Sequence, residues 1–475
     1  MKKNHCFVVI MLIVMVLCSC SGGDYQKVIP AEATLVVRAD LKSLAAKSDF
    51  QHSKTMDFLN EALMAATESH GSEKMKEYLE NPMKIGLDFS VPSYFFMVGD
   101  ETLGATMKVL DEDDVENFLL LLQQQGIATK PVEKDGLMCG TLLGDVHYAY
   151  DASSLLFLSS SKGKGMVSRL LNELMNLEER DCFINTPAYS RMSVENGDVV
   201  FTASMPLSFD TKTFDMMASL TFENGRALCK TKMWGRTDKA QALIDEANAN
   251  FSHINGKYVE SVSNDLLFWG VANVKGGWLL DKMKKDKSAK EFLFLLERAV
   301  DVEQMLRAVD GDVAIELQMN AANVMSSPEF VVYAELKNSD FLADVDYWKE
   351  SMKAYGISMQ DEGENQYLLA GEGEKYRLGV QDKNLYVASE RASSIVADEN
   401  PLAAYTENIK NSKLFVYVNM DKMNHKDFVK GLNWLQVVEE FNPFEKAVIS
   451  MPSWGEMNLV IEMKNKKENF LKQIL

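Results

Sequence analysis

The stretch Tyr148–Ser159 reads YAYDASSLLFLS, and the stretch Leu378–Ser389, 230 positions further on, reads LGVQDKNLYVAS. In both stretches, two runs of apolar and aromatic residues flank a polar turn, which is the pattern of a β-hairpin. Similarity at a fixed spacing indicates that a chain repeats a structural unit. The two hairpins therefore predict a tandem duplication.

Further pairs of similar segments follow the same order along the chain. Their offsets stay near 230 residues, and five matches in one order are harder to attribute to chance than any one of them. The pairs are Gly126-Ile127 with Gly356-Ile357, 35–42 with 268–275, 199–205 with 414–420, and 227–233 with 457–463. We predict a first repeat over residues 24–253 and a second over residues 254–475.

Hydrophobic periodicity alternates between that of strands and that of helices within each half. Strands are predicted at Thr34–Ala39, Tyr94–Val98, Thr106–Leu110, Val146–Tyr150 and Val199–Ala203. Helices are predicted at Met56–Glu68, Asp114–Gln125, Gly165–Leu177, Ala289–Ala308, Asp340–Ala354 and Leu432–Glu440. Because strands come in hairpins and helices in blocks, we predict an α+β fold: a tandem duplication of an antiparallel sheet with helices covering one sheet face.

The first residues have the pattern of a secretory signal. Lys2 and Lys3 precede the apolar run Phe7–Leu17, which is too short to span a bilayer. The segment Leu17-Cys18-Ser19-Cys20 then resembles a bacterial lipobox. We predict a signal peptide over residues 1–19, cleavage after Ser19, lipidation of Cys20 and a short tether over residues 20–23.

Acyl chains on Cys20 would make a membrane the first partner of the protein, since two or three chains anchor stably. Ser21 after the cysteine favours the outer membrane, and the near absence of acidic residues behind it favours a body that faces the periplasm, with surface exposure left open. The formal net charge of −19 argues against nucleic-acid binding, which needs clustered cations.

Three cysteines remain in the mature chain besides Cys20, namely Cys139, Cys182 and Cys229. An odd number does not form a disulfide framework. Buried thiols that pack as small apolar residues are the favoured interpretation. Whether any two of them form a disulfide stays open at this point.

The sequence contains no recognisable catalytic, metal-binding or cofactor motif, so we predict no catalytic residues, no metal site, no cofactor and no enzyme activity. The loop Ser159–Gly165 (SSSKGKG) has two Ser-x-x-Lys spacings, but it reads as an exposed turn before a helix. Asp111–Asp114 precedes a helix and is interpreted as an N-cap rather than a calcium loop.

Two compositional features have both a structural and a functional interpretation. The 28 methionines fit core packing, although they also suit an adaptable binding surface. A lysine cluster is interpreted as a solvated helix face, with contact to anionic lipid as the alternative. Its members are Lys282, Lys284, Lys285, Lys287 and Lys290.

The segment YQKVIPAEATLVV from Tyr25 to Val37, followed by DLKSL at residues 40–44, comes after the lysine-led lipobox signal. This combination resembles a family of Bacteroidetes lipoproteins defined only as a domain of unknown function. The resemblance implies an envelope protein of a Gram-negative bacterium and carries over no catalytic residue.

These observations favour a membrane-anchored envelope lipoprotein that acts as a non-enzymatic binding or scaffold module, with its ligand or protein partner unidentified. Two alternatives stay open. One is a carrier of lipid or another apolar ligand on a sheet rich in Met and Phe. The other is a hydrolase whose catalytic residues are dispersed along the chain.

Overall fold

The structure is a computed structural model that describes residues 24–53, 56, 72–161, 163–206, 213–297, 300–319, 329–371, 373–392, 396–422 and 443–475. The chain divides into two compact units. Unit 1 comprises residues up to Thr237 together with Asn465–Leu475, and unit 2 comprises Asp238–Lys464.

The described strands are β1 Leu35–Ala39, β2 Leu87–Asp88, β3 Ser93–Val98, β4 Thr102–Val109, β5 Val132–Lys134, β6 Leu137–Leu142, β7 Val146–Tyr150, β8 Ser154–Ser160, β9 Val199–Pro206, β10 Thr213–Glu223, β11 Arg226–Gly235, β12 Phe251–Ser252, β13 Leu266–Lys275, β14 Val309–Gln318, β15 Glu329–Leu336, β16 Ser358–Gly363, β17 Gln366–Gly371, β18 Glu374–Gln381, β19 Asn384–Ser389, β20 Leu414–Asn419, β21 Phe444–Ser453 and β22 Glu456–Met463.

The described α-helices are α1 Leu41–Ser48, α2 Ser72–Glu80, α3 Glu112–Gln124, α4 Lys164–Met175, α5 Pro187–Val194, α6 Asp238–Asn250, α7 Gly276–Met283, α8 Lys287–Glu297, α9 Val302–Ala308, α10 Val345–Lys353, α11 Thr406–Lys410 and α12 Phe470–Ile474. Short 3-10 helices lie at Asp24–Val28, Phe50–His52, Pro82–Ile85, Glu179–Asp181, Phe183–Asn185, Val259–Ser261, Asp340–Asp344 and Ala403–Tyr405. Within the described ranges, no helix has the length and apolar character needed to cross a bilayer.

The strands of unit 1 are hydrogen-bonded in the order β5-β6-β7-β8-β4-β3-β1-β9-β10-β11, with β2 joined to the end of β4. Every one of these pairs is antiparallel. One face of the central strands is buried under the first 3-10 helix and under α4 and α5. Its core includes Tyr25, Ile29, Val36, Tyr94, Phe96, Leu156, Leu158, Leu171, Met192 and Val200.

The strands of unit 2 are hydrogen-bonded in the order β16-β17-β18-β19-β15-β14-β13-β20-β21-β22, with β12 joined to β13, and all pairs are antiparallel. One face of the central strands carries a core in which the rings of Trp269 and Phe415 meet edge to face, with centroids 6.1 Å apart. The other members include Ile254, Tyr258, Val271, Ala314, Leu402, Ile409, Tyr417 and Val448.

The predicted α+β fold, a tandem duplication of helix-covered sheet units, is wrong. All pairings among the 22 described strands are antiparallel, and the structure is dominated by sheet rather than by a repeated unit whose helices cover one sheet face. The sequence pattern misleads because amphipathic strands and their hairpins look alike at many places in a chain. The similarity identified real strands, but it did not define the unit that they build.

The boundaries predicted for the signal peptide, the tether and the two repeats stay predictions. Residues 1–23 lie outside the described part of the chain. In the structure, the second compact unit begins at Asp238.

Candidate apolar binding face

A row of apolar residues crosses seven neighbouring strands of unit 2. Cross-strand pairing places these residues directly opposite one another, so their side chains lie on the same face of the sheet. In order across the sheet, the row is Val387, Val332, Ile315, Gly270, Val416, Ile449 and Leu459.

A second row runs beside the first on the same face, because residues two positions apart on a strand point to the same side. It consists of Phe330, Leu317, Phe268, Val418, Ala447 and Ile461, again paired strand by strand. The ring of Phe268 leans over Gly270, since a Cβ added to this glycine would lie 3.1 Å from two of the ring carbons.

These two rows, which we call the open face of unit 2, are partly accessible to solvent. Ile315 is 41% exposed, and the other members are half-buried. The alternate residues of the same strands, such as Trp269 and Phe415, are almost completely buried on the opposite face. Antiparallel sheets commonly have one apolar and one polar face, so a sheet that is apolar on both faces is unusual.

Unit 1 also carries a partly exposed apolar row. Its members are Leu103, Met97, Leu35, Ala203, Met216 and Met233, each paired with its neighbour across the strands. Leu103 is 42% exposed and Met233 is 37% exposed. Three of the six residues are methionines, whose flexible side chains adapt to ligands of different shape.

No charged side chain belongs to the open face of unit 2, and the nearby carboxylates lie on the opposite side of the sheet. On β14, next to Ile315, Glu316 is buried and accepts hydrogen bonds from the backbone N–H of Ser263 and from Nε2 of Gln318, both at 3.0 Å. Burial raises the pKa of the Glu316 carboxyl above its ordinary value, while these hydrogen bonds lower it.

Asp312, on the same strand and the same face as Glu316, has a structural role. It is fully buried and accepts the backbone N–H groups of Asn255 and Gly256 and the side-chain amide of Asn273, each at 2.9 Å. These donors satisfy both carboxylate oxygens and hold the loop before β13 against the sheet. Neither carboxylate therefore points to the open face.

The cysteines that the sequence analysis singled out are not members of the open face. Ser19 and Cys20 lie outside the described residues. Cys139, Cys182 and Cys229 are free thiols, so no two of them form a disulfide. Cys182 is fully buried and donates to the carbonyl of Glu178 at 3.2 Å, and burial raises its pKa. Such a thiol packs in the core and is a poor nucleophile.

The structure brings together no metal-binding group among the residues it describes: no three His, Cys, Asp or Glu side chains are placed to hold an ion. Lys162 of the Ser-x-x-Lys loop lies outside the described residues. The predicted helix cap is confirmed, since the Asp111 side chain accepts the backbone N–H of Asp114 at 3.1 Å.

The open face has a signal in the sequence of its central strands. Strand β13 reads LLFWGVANVK, with apolar residues at both odd and even positions. Strand β20 reads LFVYVN and shows the same feature. When a strand of an antiparallel sheet has apolar residues at both odd and even positions, both of its faces are apolar. Only one of these faces has to be buried in the core.

Comparison with known proteins gives a weak structural likeness and a clear family. Crystal forms III, IV and I of TP0453 match at 11% identity with a TM-score of 0.28. Each covers 50% of this chain, and 90%, 89% and 90% of the respective TP0453 chain. No curated protein matches the chain. The family model described as Domain of unknown function (DUF4836) matches residues 25–432, and the chain belongs to that family.

Proposed function

We propose that this protein is a lipid-anchored, non-enzymatic binding protein of the bacterial cell envelope, and that its ligand is an apolar molecule such as a lipid acyl chain. The observation that carries the proposal is the open face of unit 2. Its two parallel rows of apolar side chains lack any charged or hydrogen-bonding group.

The chemistry of the face selects the class of ligand. Sites for polar molecules place a few hydrogen-bonding groups that fix orientation. Side chains such as Ile315, Val416 and Phe268 offer only dispersion and the removal of apolar surface from water. Each Å² of apolar area covered by a ligand contributes about 25 cal/mol, so a long hydrocarbon gains the most.

The length of the first row also suits a chain-shaped ligand. It extends from Val387 to Leu459 over seven strands. At about 4.8 Å between strands, six spacings amount to about 29 Å, which is about twice the thickness of one leaflet of the hydrocarbon core and so exceeds the span of one acyl chain there. An extended acyl chain therefore fits along the row.

The predicted signal and lipobox at the start of the chain support the proposed envelope location. Acyl chains on Cys20 contribute about 0.8 kcal/mol for each buried CH₂, enough for a stable anchor with two or three chains. We place the protein at the outer membrane, facing the periplasm. An apolar-ligand protein tethered there has membrane lipid within reach.

Native mass spectrometry of the protein extracted from its own membranes tests the proposal. We expect the spectrum to contain a population heavier than the acylated chain by the mass of one or more lipids. Gentle collisional activation should release that mass as an intact lipid. A spectrum with only the acylated chain, or with a bound protein in place of lipid, would overturn the apolar-ligand assignment.

A further inference from the structure

Helix α8, Lys287–Glu297, presents one side to the body of unit 2 and another to solvent. The helix begins after Asp286, whose carboxylate accepts the backbone N–H of Ala289 at 2.8 Å as an N-cap. Leu293 is buried, whereas the next residue, Phe294, is 63% exposed. Leu293 therefore marks the side of α8 that packs on unit 2, and Phe294 marks the side that faces solvent.

The exposed side of α8 combines a single aromatic ring with lysines. Lys287, Lys290, Glu291 and Phe294 line an open hollow of about 520 Å³. Their spacings of three, four and seven residues place them on one side of a helix. A large aromatic side chain exposed between cations is a feature of helices that lie at membrane interfaces.

The charge of this patch is opposite to that of the whole chain. Lys282 is paired with Glu246 at 2.7 Å, and Lys284 is paired with Glu303. Lys285, Lys287 and Lys290 are exposed and have no ion pair with a described residue. Asp286 and Glu291 lie in the same segment and offset two of these three charges, which leaves a local net charge of +1. At physiological salt, charges more than about 8 Å away are screened, so distant carboxylates have little effect on it.

We propose that the exposed side of α8 docks on the surface of an anionic phospholipid bilayer. Phe294 enters the boundary between headgroups and acyl chains, and Lys287 and Lys290 lie against the lipid phosphates. The contact is separate from the acyl anchor and from the open face, so it goes beyond the proposed ligand binding.

The composition of the patch favours a lipid surface over a protein partner. Interfaces between proteins are depleted in lysine and enriched in arginine, whereas every cation here is a lysine. Lysine is a strongly hydrated point charge on a flexible stem, which suits a diffuse layer of phosphates. Each lysine near such a surface strengthens binding about fivefold.

Vesicle co-sedimentation tests the proposal with the mature chain from residue 20 onward, carrying C20A so that no acyl chain is present. The probes are vesicles of equal parts phosphatidylglycerol and phosphatidylethanolamine, and vesicles of phosphatidylcholine alone. We expect binding to the anionic vesicles only, and we expect added salt to weaken it.

Two variants address the patch directly. K287A/K290A should weaken vesicle binding about 30-fold, and F294A about tenfold, since the ring loses its place among the headgroups. Matched controls lie elsewhere on the surface: K130A/K134A removes two exposed lysines of unit 1, and Y347A removes an aromatic side chain on α10 that is 65% exposed. Both controls should bind as the parent does.

Equal binding to both kinds of vesicle, or equal losses in the patch and control variants, would overturn the proposal. The proposal would also be overturned if the parent protein sediments in the absence of vesicles and the patch variants do not. That result would show that α8 contacts a second copy of the chain. None of these outcomes depends on the mass of a lipid carried on the open face, so the two proposals fail independently.

Discussion

The ring of Tyr148 lies over the backbone of Gly140, its direct partner on the neighbouring strand. Tyr148 is completely buried, and its hydroxyl donates to the carbonyl of Thr129 at 3.2 Å. Tyr386 covers Gly379 in the same way in unit 2, but this ring is only half-buried. An aromatic ring over a cross-strand glycine compensates for the missing side chain.

Replacing Gly140 by alanine should destabilise unit 1, because the new Cβ would overlap the hydroxyl and the ring of Tyr148. The ring cannot move without losing its hydrogen bond and its packing. We expect a loss of about 2–3 kcal/mol in the free energy of unfolding, measured by urea denaturation. G379A is the matched control and should cost clearly less, because Tyr386 can rotate towards solvent. Equal losses would contradict this account.

Asp312→Asn should destabilise unit 2 by about 2 kcal/mol. The carboxylate accepts three N–H donors, and an amide in its place turns one oxygen into an NH₂ group that faces a donor. Thermal unfolding measures the loss. D310N, on the same strand at an exposed position, is the control and should change stability by less than about 0.5 kcal/mol.

Glu316→Gln should change how stability depends on pH. Because burial raises the pKa of Glu316 in the folded chain, unfolding releases a proton at pH values above the ordinary 4.5. The free energy of unfolding therefore falls as pH rises from the unfolded pKa through the folded pKa. E316Q removes this fall and keeps an acceptor for Ser263, so its stability relative to the parent should increase over that window. A difference that stays constant with pH would exclude the mechanism.

Ile315→Gln should weaken binding of a fluorescent long-chain fatty acid about tenfold while leaving thermal stability unchanged. The side chain lies at the centre of the open face and is already 41% exposed, so a polar replacement costs ligand contact rather than core packing. V396Q is the control at a position that is 53% exposed and does not belong to the open face. Unchanged affinity in I315Q would show that the ligand lies elsewhere.

Cys20→Ala should abolish acylation and release the protein from the membrane fraction, measured by fatty-acid labelling and by fractionation of cells. C18A is the matched control, because Cys18 lies two residues before the predicted acylation site. It should still be labelled and anchored. Labelling that survives C20A would show that the lipobox was assigned incorrectly.

Individual strands and helix starts could be predicted from the sequence where a short run of residues determines them. Period-two stretches identified β1, β3, β7 and β9, and the acidic start at Asp111 identified the N-terminus of α3. The helix predicted over Ala289–Ala308 is in fact α8 and α9. A signal for the break was present, since Asp301 and Gln304 form a capping pair in which the aspartate accepts the Gln304 backbone N–H. Of the predicted helices Met56–Glu68 and Leu432–Glu440, only Met56 lies within the described residues.

The arrangement of the sheet could not be predicted, because it depends on contacts distant in the sequence. Strand β13 shows that both of its faces are apolar, but nothing local shows that Trp269 is covered and Phe268 is not. That difference arises because loops and short helices pack over Trp269, whereas on the other face helices α7, α9 and α10 cover only the part of the sheet next to the open face. The duplication failed for the same reason: similar hairpins do not determine which strands they join.

The first described residues are packed into the core of unit 1. Tyr25, Val28 and Ile29 are almost completely buried, and the hydroxyl of Tyr25 donates to the carbonyl of Pro92 at 2.6 Å. If Cys20 carries the predicted acyl chains, the tether from Cys20 to Asp24 is four residue steps long, or about 14 Å when fully extended. The proposed ligand would then be collected and handed over within about 14 Å of the bilayer, because a body on such a short tether could not cross the periplasm.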